Sequence, residues 1–181
     1  RPVGVVANQP RRLGGVIDAA ASEKAARFVR MCDRFGIPLV VLVDTPGFMP
    51  GSRQEGAGVI RHGASLLRAF AGTSVPRVTV VLRKAYGGAV ITMNSKDLGA
   101  DMVFAWPGAE IMAANQAVGV VHRRRLSEAS DPEALGTNLA AAYAEEHLTA
   151  TAAAASGFID EVIEPGETRS SLAWALSSLE K

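Results

Sequence analysis

Val75-Pro76-Arg77-Val78-Thr79-Val80-Val81-Leu82-Arg83-Lys84-Ala85-Tyr86-Gly87-Gly88-Ala89-Val90-Ile91-Thr92-Met93-Asn94 is the stretch that decides the fold. Its β-branched run, Val75 to Leu82, reads as a strand, and Tyr86-Gly87-Gly88-Ala89 turns the chain into a short helix toward Asn94. Upstream, Leu39 to Val43 is a second apolar run, of the kind buried on both faces in a parallel sheet. It ends at Asp44 and turns at Thr45-Pro46-Gly47. Pro2 to Ala7, Met102 to Ala105 (stopped by Trp106-Pro107) and Phe158 to Ile163 supply further strands. Helical patterns fill the intervals, so the chain reads as a single α/β domain.

The first helix is expected to start near Ser22 as its N-cap and to turn Ala25, Phe28, Val29, Cys32 and Phe35 inward. Gly36 and Pro38 stop it. The second follows a Gly-rich loop over Phe48 to Gly58 and should bury Val59, Ile60, Ala64, Leu67 and Phe70. Later helices are expected over 109–127 and 132–155, with Ser130-Asp131-Pro132 as the start signal between them, and again after Pro165-Gly166.

Composition narrows the function. With 19 Lys and Arg against 18 Asp and Glu, the 181-residue chain has net charge +1, which makes no case for nucleic-acid binding. No apolar run approaches the ~18 residues of a membrane span. The one cysteine, Cys32, excludes an internal disulfide and a cysteine-rich zinc site, and fits a reducing, cytoplasmic setting. The three histidines form no H-x-x-x-H pair, so no metal site is expected. The opening Arg1-Pro2-Val3-Gly4 shows no signal peptide, and the abrupt ending suggests a piece of a longer polypeptide.

Few motifs carry chemistry. Val43-Asp44-Thr45-Pro46-Gly47 with Asn94-Ser95-Lys96-Asp97 is superficially like a GTPase pair, but a G-x-x-x-x-G-K-[ST] loop is missing and Lys96 stands one place late. The plainer reading of Asp44 is a residue that ends a strand and caps a turn. His122-Arg123-Arg124-Arg125 reads as a solvated face or, alternatively, a phosphate contact, and His62 as a surface or interface residue. Gly87-Gly88-Ala89 is more informative. At the start of a helix its N–H groups lack helical acceptors and can hold a developing oxyanion, although such a turn also serves plain packing. No Ser, Cys, His or Asp stands beside it as in G-x-S-x-G, so any chemistry there runs through backbone donors.

Seven blocks now occur in order: Asn8-Gln9-Pro10, Ser22-Glu23-Lys24-Ala25-Ala26-Arg27-Phe28-Val29-Arg30, Val43 through Gly51, Gln54-Glu55, Ile60-Arg61-His62-Gly63-Ala64, Arg83 through Ala89, and Ala105-Trp106-Pro107. With Gly157 to Ile163 they resemble the C-terminal domain of the carboxyltransferase β subunit of biotin-dependent acyl-CoA carboxylases, the propionyl-CoA and acetyl-CoA type. The resemblance spans nearly all of residues 1–181. It implies a crotonase-like (ClpP/crotonase) spiral of ββα units, with a first domain that binds acyl-CoA lying outside this chain. It also implies transfer of CO2 from carboxybiotin to the α-carbon of a short- or medium-chain acyl-CoA such as acetyl- or propionyl-CoA.

By that resemblance Tyr86, Gly87, Gly88 and Ala89 hold biotin, with Gly88 and Ala89 donating N–H groups to its ureido oxygen, and Val90 and Ile91 set substrate specificity. Biotin would arrive on a separate carrier domain. The implied partners are the N-terminal carboxyltransferase domain, a biotin carboxylase/biotin carrier α subunit, and further copies of the subunit in a hexamer. Two segments depart from the family pattern. Ile111 to Gly119 is about two residues shorter, with Ala113 in place of a glycine, and Gln54-Glu55-Gly56-Ala57-Gly58 lacks the usual aromatic. The first departure leaves a second reading, a non-catalytic paralogue acting as an assembly subunit. A crotonase-type hydratase or hydrolase shares only the fold.

Overall fold

The computed structural model describes residues 2–111, 118, 121–129 and 131–180. Its centre is a parallel five-stranded sheet: β1 (Gly4–Ala7), β2 (Leu39–Thr45), β3 (Arg77–Ala85), β4 (Met102–Ala105) and β5 (Glu161–Val162), laid side by side in chain order. Parallel neighbours in chain order require crossover connections, which in such sheets are right-handed as a rule and so place successive helices on one face. There α1 (Ala19–Arg34) and α3 (Val59–Ala71) enclose the larger core, Val29, Cys32, Leu66 and Phe70 against Leu39, Val41 and Val43. Phe70 and Leu66 are fully buried, each contributing about 1.5–3 kcal/mol. The chain does not return to the sheet after β5, so α8 (Thr168–Ser178) covers the opposite face over Val78, Val80 and Phe104.

The remaining helices are short or peripheral: α2 (Ser52–Gly56), α4 (Gly87–Thr92), α5 (Arg123–Ser127), α6 (Pro132–His147) and α7 (Ala150–Ala155). Beyond the sheet, isolated bridges join Ile17 to Phe48 and Lys84 to Glu110 in parallel, and Glu110 to Thr149 antiparallel. As expected, β2 is buried or half-buried along its whole length.

Several expectations shift. Helix α1 begins at Ala19, not near Ser22: Asp18 is the N-cap, its Oδ1 accepting the Ala21 N–H at 2.7 Å, which stabilises the helix by about 1 kcal/mol. Ser22 is buried instead, and Phe35, just past the last turn, is 75% exposed. On α3 the buried arc is Val59, Gly63, Leu66, Ala69 and Phe70, which leaves Ile60, one step around the helix, 79% exposed. The helix expected over 132–155 is two helices. Thr149 restarts it by accepting the Ala152 N–H at 3.1 Å, while the Leu148 carbonyl accepts from Ile111 at 3.2 Å. Of the pattern at 109–127, Val118, Val121 and α5 are helical among the described residues, and positions 112–117 of the shortened segment lie outside them.

Candidate functional site

Ligands of parallel sheets bind beyond the carboxyl ends of the strands. At that edge here, the Asn8 amide links β1 to β2, donating to the Gly15 carbonyl (3.4 Å) and accepting the Asp44 N–H (3.1 Å). Gly15 sits at φ +89°, and a Cβ there would collide with the Asp44 carbonyl oxygen. Asp44 marks a register shift between Val43 and Thr45. Such a bulge re-aims a side chain. Its carboxylate, on a residue only 6% exposed, accepts from Arg83 Nη2 (3.0 Å) and Nε (3.3 Å) and from the Lys84 N–H (3.4 Å). Asp44 therefore grips the next strand, rather than ending its own strand and capping a turn.

The glycine turn continues from this point. The Tyr86 N–H donates to the Thr45 carbonyl at 3.2 Å, and Tyr86 is the N-cap residue of α4 in an extended conformation. Its hydroxyl donates to Glu110 Oε2. Burial, followed by that hydrogen bond and the Glu110 charge, pushes the phenol up to about 12. Gly87 takes φ +60°, a conformation that favours glycine. Gly87 and Gly88 are exposed, and a Cβ on either would meet no other atom within 4 Å among the described residues. The first-turn N–H groups of Gly87, Gly88 and Ala89 precede any helical acceptor. Ala89 is fully buried, Val90 is half-buried and Ile91 is 40% exposed.

Behind α4 lies a buried network that sequence reading missed. Asn94, fully buried at φ +62°, accepts from Arg77 Nη1 (3.1 Å) and donates to Thr79 Oγ1 (2.9 Å). The Thr79 hydroxyl returns a bond to the Asn94 carbonyl at 2.8 Å. The Arg77 guanidinium also donates to the Phe70 carbonyl (2.7 Å) and the Gly99 carbonyl (2.6 Å). Burial lowers its ordinary pKa, while Asp101 and Asp33 act to raise it. Asn94-Ser95-Lys96-Asp97 is thus structural: Asn94 closes α4, and Lys96 pairs with Asp160 at 2.7 Å. For Glu110, Arg77 and Asn94 the sequence carried no signal beyond a polar residue beside a strand or turn. Asp44 and Arg83 stood inside quoted motifs without a visible partner.

The other candidates lie apart. Arg123, Arg124 and Arg125 are exposed, and Arg124 pairs with Glu128 at 2.9 Å. His62 is half-buried on α3, and Cys32 is buried, its thiol pKa raised by desolvation. A cavity of about 550 Å³ opens between β1 and α1, lined by Val5, Asn8, Ile17, Lys24 and Phe28, but not by the glycine turn. Among the described residues no group of three or more His, Cys, Asp or Glu side chains is placed to hold a metal ion, and no helix is long and apolar enough to cross a membrane.

Known proteins are similar to this chain in sequence and architecture. The family described as the carboxyl transferase domain matches residues 1–181. The 12S subunit of methylmalonyl-CoA carboxyltransferase from Propionibacterium freudenreichii subsp. shermanii is 51% identical over 178 residues, 97% of this chain and 34% of that subunit. The biotin-dependent acetyl-/propionyl-coenzyme A carboxylase beta6 subunit of Mycobacterium tuberculosis is 53% identical over 181 residues, 98% of this chain and 38% of that subunit. Among solved structures, transcarboxylase 12S, a hexamer with methylmalonyl-coenzyme A and methylmalonic acid bound, superposes with TM-score 0.93 at 48% identity, covering 99% of this chain and 35% of that one. The β subunit of Pseudomonas aeruginosa geranyl-CoA carboxylase does so with TM-score 0.84 at 30% identity, covering 97% and 33%. The fold is crotonase-like, and the chain spans little more than a third of its curated relatives' length. A strand edge ending in exposed backbone donors, on a chain matched from end to end by one family, leads to one assignment: this chain belongs to the carboxyl transferase domain family.

Proposed function

We propose that residues 1–181 form the C-terminal, biotin-binding domain of a carboxyltransferase subunit that moves CO2 from carboxybiotin to an acyl-CoA. The observation that carries this reading is the exposed Gly87-Gly88 turn at the start of α4, in a chain about half identical to carboxyltransferase subunits throughout its length. The residues fit the group. The space over Gly87 and Gly88 is open, and the first-turn N–H groups suit a urea oxygen that gains negative charge. Gly88 and Ala89 would donate to that oxygen, with the exposed Gly88 the more reachable of the two, and Tyr86 and Gly87 would shape the turn. Bound there, carboxybiotin supplies the carboxyl group that is transferred. The chain's own share is to orient its ligand and to stabilise charge, where a single preorganised donor is worth about 3 kcal/mol.

The acyl-CoA would be held mainly by an N-terminal domain, biotin would arrive on a carrier linked to a biotin carboxylase α subunit, and copies of the subunit would assemble as a hexamer. A hexamer is what the similar 12S subunit forms. A single buried free cysteine accords with a cytoplasmic setting. The test is carboxylation by the full-length subunit with its biotinylated partner across acetyl-, propionyl- and long-chain acyl-CoA. Activity on the short acyl groups supports the reading, and an assembled but inactive subunit would favour the assembly role. Val90 and Ile91 would line the acyl pocket, Ile91 offering its side chain most openly. Ile91→Asp should then change the acetyl-to-propionyl kcat/KM ratio. An unchanged ratio with lowered stability would leave Ile91 as a packing residue.

A further inference from the structure

Tyr86 is an unusual residue to begin a helix. Ser, Asp or Asn at an N-cap turns back and occupies the N–H groups of the first turn. A phenol ring is too long to do this, and no side-chain cap bond forms at Tyr86. The donors of Gly88 and Ala89 are therefore left for a ligand, but the turn loses the contact that ordinarily fixes a helix start. Gly87 and Gly88 offer no side chains to replace it. What holds the turn is Tyr86 itself. Its backbone N–H is fixed on Thr45 of β2, and its hydroxyl on the Glu110 carboxylate. Glu110 in turn is fastened to the end of β3, its N–H donating to the Arg83 carbonyl at 2.7 Å and its carbonyl accepting from Ala85 at 2.9 Å. It also bridges to Thr149, the cap of α7.

We infer that Glu110 is a positioning residue for the Gly87-Gly88 turn, acting through the hydroxyl of Tyr86. This role requires no contact between Glu110 and a ligand. Glu110 holds the N-cap residue outward, so that the first-turn donors stay both vacant and aimed. This inference rests on the biotin-site reading above and adds a residue to it. Glu110 is exposed, so substituting it does not open the core.

The experiment uses the full-length subunit with its carrier partner, in wild-type, Glu110→Ala, Glu110→Gln, Tyr86→Phe and doubly substituted (Glu110→Ala, Tyr86→Phe) forms. Loss of one hydrogen bond to a charged group should lower kcat about 5–10-fold in Glu110→Ala and in Tyr86→Phe, with the acyl-CoA KM unchanged. Glu110→Gln, whose amide oxygen still accepts the phenol, should recover most of that loss. The double substitution should be no slower than either single one, because both remove the same bond. Hydrogen exchange of the 86–92 peptide is read on the same proteins and does not depend on turnover. It should rise in Glu110→Ala and Tyr86→Phe and return toward wild type in Glu110→Gln. Unchanged exchange in the first two overturns the inference even if the wild type proves inactive, an outcome that would by itself count against the carboxyltransferase reading. Multiplying kinetic effects in the double substitution, or no rescue by Gln, overturns it as well.

Discussion

At its N-terminal end α4 begins in two exposed glycines whose Cβ positions meet nothing within 4 Å among the described residues, and Tyr86 ties them to β2 and Glu110. At its C-terminal end the chain passes directly into Asn94, which is completely buried and tied to Arg77 and Thr79 on the floor of the sheet. The glycine end keeps its backbone donors unspent, as a site that stabilises charge requires. The asparagine end commits both its side-chain amide and its carbonyl to Arg77 and Thr79, and accepts a left-handed backbone to do so. An oxyanion site works only if its donors do not reorganise when charge develops, so an open front needs a rigid back. The contrast therefore sets stability and the proposed chemistry at opposite ends of one short helix.

Breaking the rigid end should have the largest effect. Arg77→Met would strand the Gly99 carbonyl and the amide oxygen of Asn94 and take one of its donors from the Phe70 carbonyl, and should destabilise the protein by about 3–5 kcal/mol. A lowered urea midpoint for the full-length protein is the reading, and an unchanged midpoint would mean that the network is incidental. At the open end the same comparison predicts lost turnover without lost stability. Gly88→Pro removes the exposed N–H and should slow carboxyl transfer about 10²–10³-fold, or about 2.7–4 kcal/mol. Gly88→Ala keeps the donor, and its added methyl group meets nothing within 4 Å, so it should work at nearly the wild-type rate. Equal rates for Pro and Ala, with assembly intact, would make the turn a packing feature.

The smallest effect concerns pH at the anchor between the two ends. The folded protein holds the Tyr86 proton more tightly than an unfolded chain does, about 12 against an ordinary 10.0. A group whose pKa rises on folding stabilises the fold fully below its unfolded value and loses that contribution as pH climbs through the folded one. The Tm difference between wild type and Tyr86→Phe should accordingly be constant below about pH 10 and change in favour of the Phe variant between about 10 and 12. A difference that is flat across that range would show that burial and Glu110 together do not hold the phenol proton in the folded protein.

Parts of this design were legible in the sequence because they depend on near neighbours. Strand β2 showed itself in an unbroken β-branched run, β4 in four residues stopped by Trp106-Pro107, and the Gly87-Gly88 turn in two glycines between a strand and a helix. Helix ends were less legible. Asp18 and Ser22 are both good caps, and what separates them is that Ser22 lies on the buried face of α1. Ile60 was misread because Val59 and Ile60 are alike in character, and only the position of α3 on the sheet decides which of them turns inward.

The candidate site divides in the same way. The donors proposed for it are backbone groups whose availability follows from local geometry, so the pattern Tyr86-Gly87-Gly88-Ala89 points to them without any tertiary contact. Its supports are side chains brought together from distant positions: Asp44 with Arg83, Tyr86 with Glu110, Arg77 with Asn94. None of these pairs has a sequence signature, since an isolated Asp, Glu or Asn reads as a surface or turn residue until the register of a parallel sheet sets its partner beside it. Sequence by itself determined the succession of strands and helices, the family pattern and the place of the glycine turn. Tertiary structure decided what holds that turn, because the distance between residues far apart in the chain is set by crossover connections and sheet register rather than by any local preference.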